Sequence, residues 1–262
     1  MVRALLVKVF TAMLIAAELY ALGWPSALGP MVITLLGMAF FFTWAIAFPS
    51  SQFLVASVNH VRSPSSNGER SIAFTFDDGP DPMYTPQVLE LLEKHGAKAT
   101  FFVVGERVLA HPDLVREIAK RGHALGSHSY SHRLTFHALG VANAKREVLR
   151  GVEAITSVIG KTPHLFRPPQ GVRTPFLRDA LRQIGTLTCV TWTARGLDAT
   201  GRSAPAIVAR LTPRLTEGAI LVLHDGGGFH GTTDRTPTLA ALDELLSLAR
   251  ARGLSCVALE SA

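Results

Sequence analysis

After residue 70, the chain alternates between two kinds of stretch. Short apolar runs, such as "SIAFTF" at 71–76 and "ATFFVVG" at 99–105, have the length and composition of buried strands. Between them lie amphipathic stretches with helical spacing of the apolar positions. One of these, "TPQVLELLEKHG" at 85–96, begins at a Thr-Pro pair and ends at a Gly, as helices do. The pattern therefore predicts strand–helix units in succession.

The same alternation continues to the end of the chain. Further strands are predicted in 123–129, 164–169, 186–192, 218–228 and 254–259, and further helices in 111–122, 143–160, 174–185, 203–215 and 236–253. Repeated strand–helix units predict a parallel sheet covered by helices. About seven units in roughly 190 residues favour a barrel-like sheet over an open one.

The first 58 residues have a different pattern, with only three charges, at Arg3, Lys8 and Glu18. The stretch 31–48 contains no charged residue and is close to the ~20 residues of a transmembrane helix, so we expect it to cross a membrane. The stretch 4–24 allows two interpretations: the first helix of a membrane hairpin, or a secretory signal peptide. The hairpin is preferred, because the segment has no obvious small-x-small cleavage site.

Positive residues flank the predicted hairpin on one side. The turn at 25–30 has neither Lys nor Arg, whereas Arg3 precedes it and Arg62 and Arg70 follow the second helix. Since basic residues prefer the cytoplasm, a hairpin would place the folded domain on the cytoplasmic side of the cell membrane. If only one segment spans, that domain faces the periplasm or the exterior. We expect a membrane anchor at 1–58, a linker at 59–70 and one folded domain at 71–262.

Composition narrows the class of protein. The chain has 262 residues, is 48% hydrophobic and carries a formal net charge of +6, which excludes a disordered chain. A basic surface suits anionic lipid headgroups, whereas no basic motif with interleaved aromatic residues indicates nucleic acid. The two cysteines, Cys189 and Cys256, form no C-x-x-C pattern. We interpret them as small buried residues, with a disulfide left open.

Ionisable residues cluster where the predicted strands end. Five strand exits carry them: Asp77 and Asp78, His128 and His132, Arg167, Asp198, and His224 with Asp225. In barrels of strand–helix units, chemistry gathers at this edge of the sheet. Because side chains alternate along an extended chain, the adjacent carboxylates of Asp77 and Asp78 point in different directions. Each can then have its own partner, such as a metal ion or an arginine, which offsets their repulsion.

His128 and His132 are four residues apart in "HSYSH", a spacing that puts both imidazoles on one side of a helix or tight loop. Two histidines and one aspartate are a common ligand set for zinc that leaves room for water. In a chain with ten histidines the pair alone is a modest signal, which the double aspartate strengthens. The pattern indicates a divalent metal site, with Zn²⁺ as the preferred ion.

Four motifs, "TFDDGP", "HSYSH", "RPPQG" and "LVLHDGG", occur in this order and resemble those of the polysaccharide deacetylase family. That family includes chitooligosaccharide, chitin and peptidoglycan deacetylases. The resemblance extends over roughly residues 70–258, nearly the whole predicted domain. It implies an α/β fold, a distorted (β/α) barrel of about seven strands, and a metal-dependent hydrolase that removes acetyl groups from sugars.

The resemblance also implies a role for each matched residue. Asp77 corresponds to the general base, which takes a proton from the attacking water, and Arg167 to the residue that orients it. Asp78, His128 and His132 correspond to the metal ligands. The chemistry agrees, because a bound metal lowers the pKa of its water to ~7 and an adjacent arginine keeps a carboxylate ionised.

His224 corresponds to the general acid that protonates the departing amine. Asp198 corresponds to a residue that holds Arg167 or tunes His224, and the resemblance leaves both open. Substrate contacts are implied for the motif residues Pro169, Gln170, Gly171 and Val222. A backbone N–H near Gln170 would assist in stabilising the oxyanion.

The chain departs from the family pattern in "ARGLDA", which keeps Asp198. Arg195 stands where an aspartate is expected, and Ala199 where an aromatic residue is expected. Val222 stands where leucine is common. The missing aromatic residue removes a wall of the sugar groove and therefore bears on the identity of the substrate more than on the chemistry.

We therefore expect a membrane-anchored deacetylase of an N-acetylated sugar in a polysaccharide, an oligosaccharide or a lipid-linked glycan. Three alternatives stay open. One is a hydrolase of another C–N bond on a sugar, such as a deformylase. The others are a catalytically silent glycan-binding protein and a membrane interaction protein that keeps only the barrel.

Overall fold

The computed structural model describes residues 11–15, 17–18, 23, 28–47, 52–61, 70–227 and 234–259. The chain divides into two compact units, Met1–Leu54 and Val55–Ala262. In the first unit, helix α1 (Leu28–Ala47) covers most of the apolar stretch 31–48. Most of the stretch 4–24, residues 25–27 of the predicted turn and most of the linker at 59–70 lie outside the described residues, whereas residues 28–30 belong to α1.

The predicted membrane span is not supported by the structure. A span needs ~20 consecutive, predominantly apolar residues. Within the described part of the chain, no helix combines the length and the apolar character that crossing a membrane requires.

The second unit is built on parallel strands. They are β1 (Ser71–Asp77), β2 (Ala99–Val103), β3 (Ala124–Ser127), β4 (Leu165–Phe166), β5 (Thr188–Cys189), β6 (Ala194–Arg195), β7 (Ile220–His224) and β8 (Ser255–Cys256). Seven of them follow the order β5-β4-β3-β2-β1-β7-β6, and β8 pairs with the start of β1. This confirms the α/β class, as a curled half-barrel of parallel strands whose two edges are β5 and β6.

Helices cover the outer face of the sheet. They are α2 (Thr85–Lys94), α3 (Gly105–Ala110), α4 (Pro112–Lys120), α5 (Gly140–Ile159), α6 (Pro175–Ile184), α7 (Ala204–Leu211) and α8 (Thr236–Ala251). Their buried apolar side chains form one large core with the outward-facing residues of β1, β2 and β7. Helix α6 shows why the sequence forms these elements. Its Thr174 hydroxyl accepts a hydrogen bond from the Leu177 N–H, and Gly185 ends it in a left-handed conformation.

Two stretches differ from the sequence-based prediction. The strand predicted at 99–105 ends at Val103, and the short helix α3 follows it at once. The strand predicted at 186–192 joins the sheet only over Thr188–Cys189, with a single further bridge from Val190 to Val58, and the chain then enters β6 without an intervening helix. The apolar run at 186–192 is longer than the strand β5 that it forms, because Val190 and Trp192 are buried in the barrel interior.

A second core fills the barrel interior. It contains Ala73, Phe102, Leu165, Val190, Trp192, Ile220, Val222 and Leu259. Leu259 lies near the amino-terminal ends of the strands, because its N–H donates to the Thr100 hydroxyl. Val58 and Val61, ahead of β1, pack against the same core. Segments from both ends of this unit therefore contribute to the interior core.

The carboxyl ends of the strands form the other end. Asp77, the last residue of β1, is the register neighbour of Phe102 on β2 and of His224 on β7. Ser127, the last residue of β3, is the neighbour of Phe166 on β4. The ionisable strand exits predicted from the sequence therefore meet at one edge of the sheet.

Candidate active site

A buried ion pair lies at the centre of this edge. Arg167 is fully buried, and its Nη1 donates to Asp77 Oδ1 at 2.7 Å and to the Thr75 hydroxyl at 2.7 Å. Its Nη2 donates to the Thr191 carbonyl at 3.0 Å. The guanidinium carbon lies 4.0 Å from the centroid of the Phe102 ring. These contacts fix the arginine, which in turn fixes one oxygen of the Asp77 carboxylate.

The surroundings keep Asp77 ionised. Burial by itself would raise the pKa of this carboxyl group. The charges of Arg167, His128 and His224, together with the Arg167 hydrogen bond, outweigh burial and hold the pKa of Asp77 below its ordinary value. At neutral pH, Asp77 is therefore a carboxylate with an accepting oxygen and little solvent around it.

Asp78, His128 and His132 form a cluster next to Asp77. One potential ligand atom from each lies within 4.8 Å of the other two. Asp78 Oδ1 is 3.1 Å from Nε2 of His132 and 3.5 Å from Nε2 of His128. One carboxylate oxygen and two imidazole nitrogens are a donor set that suits a borderline divalent cation such as zinc.

The tautomer of His128 fits this set. Its Nδ1 lies 2.7 Å from the Arg167 carbonyl oxygen, which can only accept, so Nδ1 carries the proton. Nε2 then directs its lone pair at the cluster, as in most histidines that bind metals through this atom. Burial, reinforced by the neighbouring His128, lowers the pKa of His132 to about 4, so the His132 imidazole is neutral at neutral pH.

The backbone adopts uncommon conformations at this cluster. Asp78 and His132 have positive φ angles of 71° and 48°, a region that non-glycine residues rarely occupy. The His132 N–H donates to the Ser129 hydroxyl at 3.1 Å, and the Asp78 carbonyl accepts from Arg107 at 2.6 Å. The surrounding structure thus holds two strained residues in place, a feature that concentrates at functional sites.

A second acid–histidine pair lies at the end of β7. Asp198 Oδ1 accepts from His224 Nδ1 at 2.9 Å, and Oδ2 accepts from the His224 N–H at 2.8 Å. The Thr238 hydroxyl also donates to Oδ2. The two roles left open for Asp198 are thereby separated, because it contacts His224 whereas Arg167 pairs with Asp77.

This pair keeps His224 protonated. Burial alone would lower the pKa of the imidazole. The charge and hydrogen bond of Asp198, with smaller contributions from Asp78 and Asp77, outweigh burial and raise the pKa of His224 to about 9. Since Nδ1 is occupied by Asp198, the proton on Nε2 is the one that can be given to a substrate.

The residues predicted to contact substrate lie in two places, the turn after β4 and strand β7. Pro169–Gly171 forms a 3₁₀ turn after β4, in which Gln170 and Gly171 have φ angles of 59° and 71°. A Cβ on Gly171 would lie only 2.0 Å from the Trp192 ring, so this turn packs tightly on the barrel interior. Val222 is only 1% exposed, within the interior core, and its contact with substrate stays a prediction.

Sequence reasoning missed two residues that hold the loops around the site. Arg107 on α3 donates to the Asp78 carbonyl and, at 2.5 Å, to the Gly227 carbonyl. The buried Arg235 donates twice to the Gly226 carbonyl. Both arginines hold the glycine-rich loop after β7 in place, because they donate hydrogen bonds to loop carbonyls that have no partner strand. No spacing in the sequence connects either arginine with that loop.

Asp225, one of the ionisable strand exits predicted from the sequence, directs its carboxyl group towards helix α2. The Thr85 hydroxyl donates to its Oδ2 at 2.6 Å. A Cβ on Gly79 would lie 2.4 Å from the same oxygen, so the glycine lets the loop after β1 approach this carboxyl group. Burial raises the pKa of Asp225 to about 7. The carboxyl group therefore supports the start of α2 and the loop after β1.

The chain matches the polysaccharide deacetylase family over residues 65–188. It is 37% identical to a peptidoglycan-N-acetylglucosamine deacetylase of Bacillus cereus over 190 residues, which cover 71% of this chain and 85% of that protein. It is 34% identical to a chitooligosaccharide deacetylase of a Bradyrhizobium species over 194 residues, which cover 71% and 88% of the two chains.

A solved structure extends the similarity to the fold. A family 4 carbohydrate esterase from Streptomyces lividans, in complex with acetate, superimposes with a TM-score of 0.64 at 33% identity, over 71% of this chain and 91% of that one. The motifs, the half-barrel and the arrangement at its carboxyl edge therefore have one explanation: this chain belongs to the polysaccharide deacetylase family.

Proposed function

We propose that this protein is a divalent-metal-dependent hydrolase that removes the acetyl group from an N-acetylated sugar of a glycan. The observation that carries the proposal is the adjacency of three prepared groups. These are the ionised Asp77 held by Arg167, the Asp78–His128–His132 cluster beside it, and the protonated His224 on the neighbouring strand. Named relatives that act on peptidoglycan N-acetylglucosamine and on chitooligosaccharides support an N-acetylglucosamine-containing substrate.

A divalent cation at the cluster, preferably zinc, would supply Lewis-acid activation of the acetyl carbonyl and of water. Asp77 accepts the proton of the attacking water, since its carboxylate is ionised and one oxygen is already held by Arg167. The other carboxylate oxygen is left to face the substrate. The same arginine prevents Asp77 from turning towards the cluster.

His224 completes the reaction by protonating the nitrogen of the breaking C–N bond through Nε2. Without this proton the sugar amine would be a very poor leaving group. Asp198 stabilises the protonated imidazole before the transfer. The acetyl group leaves as acetate and the sugar keeps a free amine. The reaction is a direct hydrolysis with no covalent enzyme intermediate.

The activity is tested by incubating the purified full-length protein with an N-acetylglucosamine tetrasaccharide and with peptidoglycan glycan strands. We expect acetate and free amine in equal amounts. The activity should vanish after chelation and return on addition of zinc. Formate release from a formylated sugar, without acetate release from the acetylated one, would indicate a deformylase instead.

Metal binding is tested separately by elemental analysis. Replacing His132 with alanine removes one ligand, and we expect the bound divalent metal to fall well below one per chain. His164→Ala is the matched control, because this exposed histidine follows the helix α5 and precedes β4, away from the cluster. Wild-type protein that binds no metal would exclude the metal-dependent mechanism.

Attachment to a membrane stays a prediction from the sequence, together with the side of the membrane that the enzyme faces. A reporter enzyme fused after residue 262 would place the carboxyl end. A cytoplasmic end would favour a lipid-linked precursor as substrate, and an external end would favour peptidoglycan or an exported polysaccharide.

A further inference from the structure

Arg195 lies at the mouth of the barrel but takes no part in the catalytic pairs. It is the last residue of the edge strand β6 and the register neighbour of Val222, which belongs to the interior core. The preceding Ala194 packs against the outer core. Because side chains alternate along a strand, the Arg195 side chain points to the interior side, where its guanidinium carbon lies 5.1 Å from the Trp192 ring centroid.

The catalytic carboxylates do not neutralise Arg195. Asp77 already pairs with Arg167 at 2.7 Å, and Asp198 pairs with His224 at 2.9 Å. Among the described residues, no carboxylate oxygen comes within 4.0 Å of the Arg195 guanidinium. Arg195 is nevertheless exposed. A cation with no acidic partner therefore faces the open edge of the half-barrel.

A second arginine adds to the positive charge at this place. Arg210 on α7 donates from Nε to the Arg195 carbonyl at 2.8 Å. The partial desolvation of Arg195 and the charge of Arg210 lower the pKa of Arg195, while Asp77 opposes this effect. An anion bound here would relieve the repulsion between the two arginines.

We propose that Arg195 binds an anionic substituent, a carboxylate or a phosphate, on the glycan next to the sugar that loses its acetyl group. This inference rests on the proposed function. The guanidinium presents a planar fork of donors that matches either anion, and the Trp192 ring supports it from one side. The preferred substrate is therefore an acidic glycan.

Three tetrasaccharide-sized probes test this proposal. One is a neutral N-acetylglucosamine oligosaccharide, the second a peptidoglycan glycan fragment with free lactyl carboxylates, and the third an N-acetylglucosamine oligosaccharide with a terminal phosphate. We expect wild-type kcat/KM to be about tenfold higher for the carboxylate or the phosphate probe than for the neutral one. The anionic probe that is preferred identifies the source of the anion. The preference should weaken with added salt.

Variants of Arg195 separate recognition from structure. Arg195→Gln should reduce the anionic-to-neutral ratio of kcat/KM to about one. Arg195→Lys should keep part of the preference, since it retains the charge but loses the fork. Arg250→Gln is the matched control, because it removes one exposed arginine at the end of α8, away from the site. It should leave the ratio unchanged.

Binding measured by calorimetry distinguishes this inference from the proposed function. The Asp77→Asn variant, alone and combined with Arg195→Gln, is titrated with the same probes, so no turnover is needed. About tenfold weaker binding of the anionic probe in the double variant supports the proposal even if no acetate is released. Equal losses for neutral and anionic probes would mean that Arg195 only supports Trp192, and would overturn it.

Discussion

Each of the two side chains proposed to transfer protons has a partner that sets its charge. Arg167 holds Asp77 ionised, and Asp198 holds His224 protonated. The two pairs have opposite effects, since one prepares a base and the other an acid at the same edge of the sheet. At neutral pH, a base and an acid with such separated pKa values can act in one reaction without exchanging their protons first.

Replacing Asp77 with asparagine should lower kcat by about 10²–10⁴, because the proton of the attacking water loses its acceptor. The variant also leaves the buried Arg167 charge without its counter-ion, which is expected to reduce the free energy of unfolding by about 3–5 kcal/mol. Steady-state kinetics and denaturant unfolding measure the two effects.

Asp243→Asn is the control for both measurements. Its carboxylate pairs with Lys94 and His95 at the surface and should contribute less than about 1 kcal/mol. An Asp77→Asn enzyme with near wild-type kcat would remove Asp77 from the role of general base.

The pH profile should report His224. Its pKa is raised from 6.5 to about 9, so the protonated acid persists at neutral pH and activity should fall as the pH rises through about 9. The stability that this pair contributes has the same sign, being complete below pH 6.5 and lost through about pH 9.

Asp198→Asn removes the charge that raises this pKa and leaves burial, which lowers it. The basic limb of the kcat/KM profile should then move to lower pH, by about two units or more. A basic limb that stays near pH 9 in this variant would show that another group donates the proton.

At the scale of elements, the site depends on loops that leave the strands in unusual conformations. The turn after β4 carries two positive φ angles, at Gln170 and Gly171, and packs on Trp192 in the helix-free link between β5 and β6. This link crosses the edge where the half-barrel is open. Its tight contact with the turn joins the two sides of that opening.

Gly171→Ala should therefore be destabilising by about 3 kcal/mol. The change combines backbone strain at a φ of 71° with a Cβ placed 2.0 Å from the Trp192 ring. Thermal or denaturant unfolding measures the loss, and a displaced Trp192 should change the tryptophan fluorescence.

Gly160→Ala separates the two causes. Gly160 has the same φ of 71°, but a Cβ there would meet nothing within 4 Å, so we expect a loss of about 1 kcal/mol. Equal losses for the two variants would mean that the contact with Trp192 has no energetic weight.

At the scale of the whole molecule, the half-barrel is completed by chain that precedes and follows the strand–helix units. The segment 55–61 adds a bridge between Val58 and Val190, and the tail after β8 inserts Leu259. Leu259 lies towards the amino-terminal ends of the strands, where its N–H donates to the Thr100 hydroxyl. The carboxyl ends of the strands, where the candidate site lies, therefore stay open, whereas Leu259 fills the interior towards the amino-terminal ends.

Leu259→Ala should reduce the free energy of unfolding by about 2–5 kcal/mol, the usual range for truncating a buried leucine. Leu259 is 6% exposed and far along the barrel from the cluster, so the metal content should not change. Leu109→Ala, at an exposed leucine, is the control and should alter stability by less than about 0.5 kcal/mol. A stable Leu259→Ala variant would mean that the tail merely covers the barrel.

Much of the architecture could be predicted from the sequence, because local patterns encode it. The apolar runs and helical periodicities located β1, β7 and most of the long helices. The short helix α3 was missed, since six residues are too few for a periodic signal. The sequence also did not predict that 186–192 would form only the short strand β5, followed by a link to β6. A run of apolar residues has the same pattern whether it pairs with neighbouring strands or packs into the barrel interior.

The sequence by itself determined which groups the site contains and that they lie at the carboxyl edge of a parallel sheet, since the motifs sit where apolar runs end. Only the tertiary structure decided the partners. Asp77 and Arg167 are 90 positions apart, and Arg107 and Gly227 are 120 apart. It also decided that Asp198 holds His224 and that Arg195 faces the barrel mouth. Such contacts depend on how the strands are ordered and curled, which no local pattern of residues records.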